Sequence, residues 1–248
     1  MTTPLVSAVD LSVGWGSTVL QEGASFEIER GTIFVILGGS GCGKSTLLRA
    51  LIGLDEPLAG TVTIDGQPLA LDRAARPRFG VMFQSGALLG SLTVAENVGL
   101  PLLEWTALPL DAVGAIVAAR LRLVGLERFG ALLPSELSGG MRKRAAIARA
   151  MALEPELLFL DEPSAGLDPV LAAELDVLLL TLNEQLGLTI VVVTHDLESI
   201  LKIGRNCIML DRQTRSIIAR GDPRDLRGES QDPRIHAFFH RTPRPVTP

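Results

Sequence analysis

The sequence predicts an α/β fold, in which buried strands are covered by helices and joined to an antiparallel β layer. Short, continuously apolar runs at 32–37, 80–84, 157–162 and 189–195 are typical of strands buried on both faces. Apolar residues also recur at helical spacing, as in the stripe along 111–124. With 248 residues, 47% of them hydrophobic, the chain can form one large α/β domain or two small ones.

Composition narrows the classes of function. A net charge of −5 argues against a dedicated nucleic-acid binder, which would carry a basic face. Two cysteines, Cys42 and Cys207, cannot form a disulfide framework, which favours a reducing compartment. The N-terminus has no basic segment followed by an apolar one, and no apolar run approaches 18 residues. We therefore expect a chain that is soluble by itself and reaches a membrane only through a partner.

The elements follow in chain order. Residues 5–36 and 60–66 alternate β-like runs with glycine turns and predict an antiparallel layer joined to a first core strand at 32–37. The stretch 86–152, mostly helical and punctuated by prolines, reads as an insertion, 206–221 reads as a hairpin and 243–248 as a loose tail. Asp111 and Asp168 are predicted helix N-caps, the latter followed by Pro169. Helices are predicted at 44–52, 111–124, 138–152, 168–186 and 196–203.

A glycine-rich loop, GGSGCGKST, lies between the apolar strand at 32–37 and a predicted helix. This strand–loop–helix context fits a loop whose backbone N–H groups and helix N-terminus hold phosphates. In that interpretation Lys44 reaches the β- and γ-phosphates, and the Ser45 hydroxyl binds Mg²⁺. The alternative is an ordinary turn with a solvated lysine. The candidate nucleotide-binding residues here are Gly38, Gly39, Ser40, Gly41, Cys42, Gly43, Lys44, Ser45 and Thr46.

Polar side chains follow three of the predicted buried strands. Asp161 is placed to hold Mg²⁺ through water, and Glu162 to polarise an attacking water molecule. His195 ends the strand at 189–195 and fits a γ-phosphate sensor. Gln84 ends GVMFQ and offers an amide to Mg²⁺ and water. Alone, the two carboxylates could be an acidic turn and the histidine could be structural.

Two further features involve aromatic and glycine residues. Trp15 lies between glycines and could stack on adenine, although a tryptophan packed inside a β layer is the alternative. The stretch LSGGMRKR puts Ser138, Gly139 and Gly140 at a helix start, where glycine and a following basic trio are both unfavourable. Such a start suits the close approach of an anion.

Taken together, these motifs resemble the ATP-binding cassette (ABC) ATPases over nearly the whole chain. GGSGCGKS looks like the Walker A motif, LLFLDE like Walker B, Gln84 like the Q-loop glutamine, SAGLD at 164–168 like the D-loop and His195 like the switch histidine. LSGG is the signature of that family. The resemblance implies a P-loop NTPase with a RecA-like core, an antiparallel β subdomain and a helical subdomain. It implies one ABC domain at 5–222, its helical part at about 86–152, and a C-terminal extension at 223–248.

The family also implies a head-to-tail homodimer. The signature residues of one subunit, Ser138, Gly139 and Gly140, would cap the γ-phosphate held by the other subunit, with the D-loop Asp168 nearby. The basic trio, residues 142–144, would then lie near a polyanion, or its side chains would turn to solvent. Met141 replaces the usual glutamine, which weakens a polar contact near the ribose. Trp15 replaces the usual tyrosine and keeps an aromatic face.

Longer stretches are similar to the ATPases of Mla-type lipid transporters: 83–102, 134–155 and the tail DPRIHAFFHR. That resemblance implies a permease dimer, an MCE-domain lipid-binding protein and, as an accessory, a STAS-domain subunit. It implies a position on the cytoplasmic face of the inner membrane. Glu162 would activate water for ATP hydrolysis, and His195 would hold the γ-phosphate. Lys44 would neutralise charge together with a Mg²⁺ ion bound by Ser45, Gln84 and Asp161. Gln84 would also couple the site to the permease.

Other assignments stay open at this point. The chain could be the ATPase of an importer for a small solute or of a lipoprotein-release system. A soluble ABC protein acting on DNA or the ribosome is disfavoured by the acidic charge and the single cassette. An inactive regulatory cassette is disfavoured by Lys44, Glu162 and His195, which are all present.

Overall fold

Strands and helices alternate along the chain in the computed structural model, which describes residues 3–69 and 78–242. The chain divides into two compact units, one taken from 1–72 and 191–248 and the other from 73–190. The loose tail predicted at 243–248 lies outside the described residues. An α/β fold is confirmed.

An antiparallel sheet in the first unit corresponds to the predicted β layer. Its strand order is β2-β1-β4-β5. Inward positions of β1 are apolar, and Asp10, with a φ of 50°, lies where the register with β2 shifts. The strands are β1 (Val6–Trp15), β2 (Thr18–Ile28), β4 (Ala59–Ile64) and β5 (Gln67–Pro68).

The first unit also contains the strand that precedes the glycine-rich loop. This strand is β3 (Ile33–Gly38), and all six of its residues are buried. It pairs in parallel with β9 (Asn206–Asp211), which forms the predicted hairpin with β10 (Ser216–Gly221). Strand β8 (Thr189–Val193) crosses from one unit to the other along the chain, and it is fully buried as its apolar run predicts.

The helices of the first unit include two that the sequence analysis did not predict. Aspartates 222 and 232 cap them, and each is followed by a proline at the first helical position. Ile235 and Phe239 of the last helix pack into an apolar cluster with Val35, Leu37 and Met209. The four helices are α1 (Lys44–Leu51), α6 (Leu197–Ile203), α7 (Pro223–Glu229) and α8 (Pro233–Phe239).

Within residues 78–190, the second unit holds two paired parallel strands, four α-helices and a 3₁₀ helix at Pro134–Glu136. Its α2 begins with a capping box in which Thr93 and Glu96 exchange hydrogen bonds. The strands are β6 (Gly80–Met82) and β7 (Leu157–Asp161). The helices are α2 (Val94–Trp105), α3 (Leu110–Leu123), α4 (Gly139–Ala150) and α5 (Pro169–Leu186).

One predicted cap is wrong. Helix α3 begins at Leu110, so Asp111 lies inside its first turn and Pro109, with an extended backbone, occupies the N-cap position. The fixed φ of proline suits this boundary, and a carboxylate in the first turn still faces the positive end of the helix dipole. The cap predicted at Asp168 is confirmed, because its carboxylate accepts hydrogen bonds from the N–H groups of Val170 and Leu171 at 2.9 and 3.0 Å.

Candidate functional site

The glycine-rich loop of the first unit connects β3 directly to α1. The Lys44 side chain is only 8% exposed, and its Nζ donates hydrogen bonds to the carbonyls of Gly38 at 2.9 Å and Gly39 at 3.1 Å. The N-cap residue of α1, Gly43, provides no side-chain cap, and the first turn contains no acidic residue. A helix N-terminus and a held ammonium group are both features that can bind phosphate.

The backbone of this loop requires glycine. Gly38 and Gly43 have φ values of 145° and 97°, which L side chains rarely adopt. A Cβ on Gly38 would also lie 2.5 Å from the Leu210 carbonyl oxygen. The loop is thus fixed against β9 of the same unit.

A buried glutamine that was not predicted from the sequence stabilises the glycine-rich loop by a hydrogen bond to its main chain. Gln21 on β2 is fully buried, and its Nε2 donates to the carbonyls of Cys42 at 2.8 Å and Asp211 at 3.0 Å. Its Oε1 accepts no hydrogen bond from the described residues. The only sequence signal was an amide at an inward position of a strand, which is a weak one.

Three residues of the loop, Gly39, Ser40 and Cys42, line a cavity in the first unit. Its volume is about 340 Å³. Burial raises the pKa of the Cys42 thiol, which makes it a weaker nucleophile than an exposed cysteine. Ser45 is exposed and Thr46 is buried at the start of α1. The cavity is lined by Gly39, Ser40, Cys42, Arg212, Ala237, Phe238 and Thr242.

Trp15 and His195 also belong to the first unit. Trp15 is the last residue of β1 and is 62% exposed, so the packed-tryptophan alternative is wrong. His195 is exposed and follows β8 by two residues. The Thr194 N–H, one residue earlier, bonds to the Ile36 carbonyl on β3 at 3.4 Å. The histidine therefore comes just beyond a point where the chain runs beside the strand that leads into the glycine-rich loop.

The two predicted carboxylates belong to the second unit. Asp161 ends β7 and Glu162 follows it, and each is 9% exposed. Glu162 has a φ of 48°, a conformation that is strained for a residue with a side chain. Strain of this kind clusters at functional positions.

The prediction that Gln84 ends a strand is wrong, because this residue lies two residues beyond β6. The reason is a turn in which the Gly86 N–H bonds to the Phe83 carbonyl at 2.7 Å and diverts the chain from the strand. In the parallel register Met82 is opposite Leu160. Gln84 and Glu162 therefore each lie two residues beyond this pair.

The signature stretch begins α4 in this unit. Ser138 is the N-cap and accepts a hydrogen bond from the Met141 N–H at 3.3 Å. A Cβ on Gly139 or Gly140 would make only ordinary contacts, 3.5 Å to Leu167 and 3.6 Å to Leu171. The packing of this chain therefore does not require glycine at either position.

The basic trio after the signature has internal partners. Arg142 donates to the Leu137 carbonyl at 2.7 Å, and Arg144 pairs with Glu174 at 2.8 Å. Lys143 is buried, so the prediction that the trio could turn to solvent is wrong for this residue. Its ammonium group donates instead to main-chain carbonyls of two other segments.

Two negative observations concern the described part of the chain. No group of three or more His, Cys, Asp or Glu side chains there could hold a metal ion. None of the helices within residues 3–69 and 78–242 is both long and apolar enough to cross a bilayer.

Comparison with known proteins identifies the family. The family model described as ABC transporter matches residues 21–165, from the buried glutamine to the residue after Ser164. The chain is 41% identical over 241 residues to the intermembrane phospholipid transport system ATP-binding protein MlaF of Escherichia coli K12, covering 95% of this chain and 88% of that protein. It is 39% identical to the probable ribonucleotide transport ATP-binding protein mkl of Mycobacterium leprae, covering 93% and 67%.

Solved structures agree in fold. The cbiO1 protein of Clostridium perfringens, part of the ABC transporter complex cbiONQ, superposes with a TM-score of 0.83 at 30% identity, covering 91% of each chain. The ATP-binding cassette MJ0796, in a dimeric post-hydrolysis state bound to ADP and Pi, gives 0.78 at 32% identity, covering 88% of this chain and 98% of that one. The chain therefore belongs to the ABC transporter family, as an ATP-binding subunit with ATPase activity.

Proposed function

We propose that this ATPase drives the transport of phospholipid between membranes. The observation that carries the proposal is the 41% identity to MlaF, which extends over 95% of the chain. In such an assembly a homodimer of this chain lies on the cytoplasmic face of the inner membrane, bound to a permease dimer and an MCE-domain protein. A STAS-domain subunit is a further candidate partner.

Small-solute import is the second candidate. The likeness to mkl, whose name assigns it to probable ribonucleotide transport, favours this alternative at 39% identity. That likeness covers 67% of the relative, against 88% for MlaF. The phospholipid assignment therefore has the better support.

Native mass spectrometry of the complex purified through the tagged full chain tests the assignment. We expect the permease, an MCE protein and bound phospholipid. A solute-binding protein in a complex without phospholipid would contradict the proposal and favour the importer. As a control, the chain should leave the membrane fraction in cells that lack the permease gene.

The proposed nucleotide site assigns the phosphates to the loop from Gly38 to Thr46. Its backbone N–H groups and the Lys44 ammonium bind the β- and γ-phosphates. The Ser45 hydroxyl, the Gln84 amide and, through water, the Asp161 carboxylate are the proposed Mg²⁺ ligands. Oxygen atoms of these kinds are the ones that Mg²⁺ prefers, so the donor set fits the ion. Bound Mg²⁺ would neutralise charge on the phosphates.

The proposed catalytic groups act by position and charge. The Glu162 carboxylate orients the attacking water and accepts its proton as a general base, and His195 holds the γ-phosphate. Lys44 stabilises the negative charge that develops on the transferred group. Gln84 senses the nucleotide and couples the site to the permease.

The second phosphate contact is proposed to come from another copy of the chain. Ser138, Gly139 and Gly140 of one subunit would cap the γ-phosphate held by its partner, and Asp168 would lie beside it. The dimeric MJ0796 cassettes support this arrangement. So do two glycines that the chain's own packing does not require. The domain limits 5–222, the helical part at about 86–152 and the extension at 223–248 belong to the same proposal.

Stacking of adenine on Trp15 gives a direct test of the site. Trp15→Ala should raise the Kd for ATP roughly 5- to 150-fold, because base–aromatic stacking contributes about 1–3 kcal/mol. Trp15→Phe, the matched control, should keep most of the affinity. Titration with a fluorescent ATP analogue measures both. An unchanged Kd in the alanine variant would remove Trp15 from the site.

A further inference from the structure

Lys143 is a buried cation whose partners are main-chain carbonyls of two different segments. The residue is 8% exposed on α4. Its Nζ donates to the Gln84 carbonyl at 2.5 Å and to the Glu162 carbonyl at 3.3 Å. Burying a cation is unfavourable unless it is paired and hydrogen-bonded, so these contacts compensate a real cost.

The two carbonyls occupy equivalent places. Parallel strands β6 and β7 pair with Met82 opposite Leu160, and Gln84 and Glu162 each come two residues later. The side chain of Lys143 thus joins the two segments at the point where the strand hydrogen bonds have ended. One ammonium group therefore links two segments that are far apart in the sequence and adjacent in the sheet.

The charge environment agrees with this placement. Burial lowers the pKa of the Lys143 ammonium, and the charges of Glu162 and Asp161 act in the opposite direction. The ammonium therefore interacts electrostatically with the two carboxylates proposed for catalysis, while it donates hydrogen bonds to the main chain.

Both segments contain a residue with a strained backbone conformation. Glu162 has a φ of 48° and Ala87, three residues after Gln84, a φ of 49°. Such conformations persist only where neighbouring contacts hold them. For Glu162 one of these contacts is Lys143.

A second α4 cation holds the far end of the Gln84 segment. Arg149 donates to the Gly86 carbonyl at 3.0 Å and to the Ala87 carbonyl at 2.6 Å. The helix that begins with the signature residues therefore forms hydrogen bonds to both ends of residues 84–87. One of its two cations, Lys143, also forms a hydrogen bond to Glu162.

We propose that Lys143 is a positioning residue, which sets the backbone of Glu162 and of Gln84 so that a shift of α4 moves both. This inference rests on the proposed catalytic role of Glu162. Through Lys143, the signature helix is connected directly to the catalytic residue Glu162 of its own chain, without any contact to nucleotide.

Lys143→Met tests the inference in the full-length chain. The change keeps an unbranched side chain that is one atom shorter and removes the charge and the hydrogen-bond donors. In single-turnover ATP hydrolysis we expect the rate to fall about 10- to 100-fold with the Kd for ATP changed less than twofold, because small misplacements of reacting groups carry penalties of that order. Lys143→Arg should restore at least half of the rate, since a guanidinium can donate to both carbonyls.

Arg144→Met is the matched control, because this neighbour pairs with the exposed Glu174 and should leave the rate within twofold. Hydrogen–deuterium exchange adds a readout that needs no turnover. The amides of residues 85–88 and of Ser164 and Ala165 should exchange faster in Lys143→Met and return to the wild-type rate in Lys143→Arg. Lys143→Gln, which keeps one donor group, should be intermediate and replaces the methionine variant if that variant does not fold.

The outcomes separate the two proposals. A wild-type rate and wild-type exchange in the methionine and glutamine variants would overturn the positioning role, as would faster exchange with an unchanged rate. Failure of the proposed catalytic role would instead appear as normal hydrolysis in Glu162→Gln.

Discussion

Glu162→Gln should reduce ATP turnover by about two orders of magnitude or more while leaving ATP binding intact. A positioned general base contributes roughly 10²- to 10⁴-fold to a rate. The amide has the size of the carboxylate and preserves the backbone hydrogen bond from Lys143 to the Glu162 carbonyl. It cannot accept the proton of water as a carboxylate does. Binding, which we assign to the glycine-rich loop, should persist.

A stopped-flow or phosphate-release assay on the purified complex measures the loss, and filter binding measures the retained affinity. Glu174→Gln is a suitable control, because Glu174 is a half-exposed carboxylate paired with Arg144 on the helix surface. Its turnover should match the wild type. Near-normal hydrolysis by Glu162→Gln would assign the role of base to another group.

Because hydrolysis would reopen the proposed dimer, the same variant should accumulate as a closed dimer with ATP. Analytical ultracentrifugation with and without nucleotide follows this effect. A monomer at saturating ATP would argue against the proposed interface, even if turnover had fallen.

The strands and the glycine-rich loop could be predicted because their signals are local. Strand β3 is fully buried and its six residues are apolar or glycine, and the loop after it needs glycine at φ values that few residues adopt. Patterns of this kind depend on a few neighbouring residues. The N-cap at Asp168 is confirmed for the same reason, since the cap and its partners lie within three residues.

Long-range partners are what the sequence could not indicate. Nothing in the residues around Gln21 shows that its amide will bond to Cys42 and, 190 positions away, to Asp211. Lys143 reads as one cation in a basic trio, and only the packing of α4 shows that it bonds to carbonyls 59 and 19 positions away. Apolar periodicity indicates which face of a helix or strand is buried, but it does not indicate which polar group of another segment that face contacts.

The C-terminal helices illustrate an intermediate case. The pairs Asp222–Pro223 and Asp232–Pro233 are helix-start signals that could have predicted α7 and α8. Each helix has only seven residues, so apolar periodicity is a weak signal over its length. Their stability comes from packing, since short helices are marginal in isolation.

Gly139→Ala should have opposite effects on stability and on activity. The added methyl group would lie 3.5 Å from Leu167, an ordinary contact, and Gly139 has a backbone conformation that alanine adopts. Replacing glycine at such a position stabilises a protein by about 0.4–1 kcal/mol, because the unfolded chain loses freedom. If a γ-phosphate of the partner's nucleotide approaches this backbone, the same methyl group obstructs it, and turnover should fall on the order of 10²-fold.

Gly38→Ala separates a glycine needed by the fold from one needed by a ligand. Its Cβ would meet the Leu210 carbonyl at 2.5 Å, and its φ of 145° is unfavourable for alanine, so this variant should lose stability and ATP binding together. Thermal melts and ATPase assays on both variants make the comparison. A Gly139→Ala protein that is more stable and fully active would contradict the proposed approach of the partner's γ-phosphate to the signature turn.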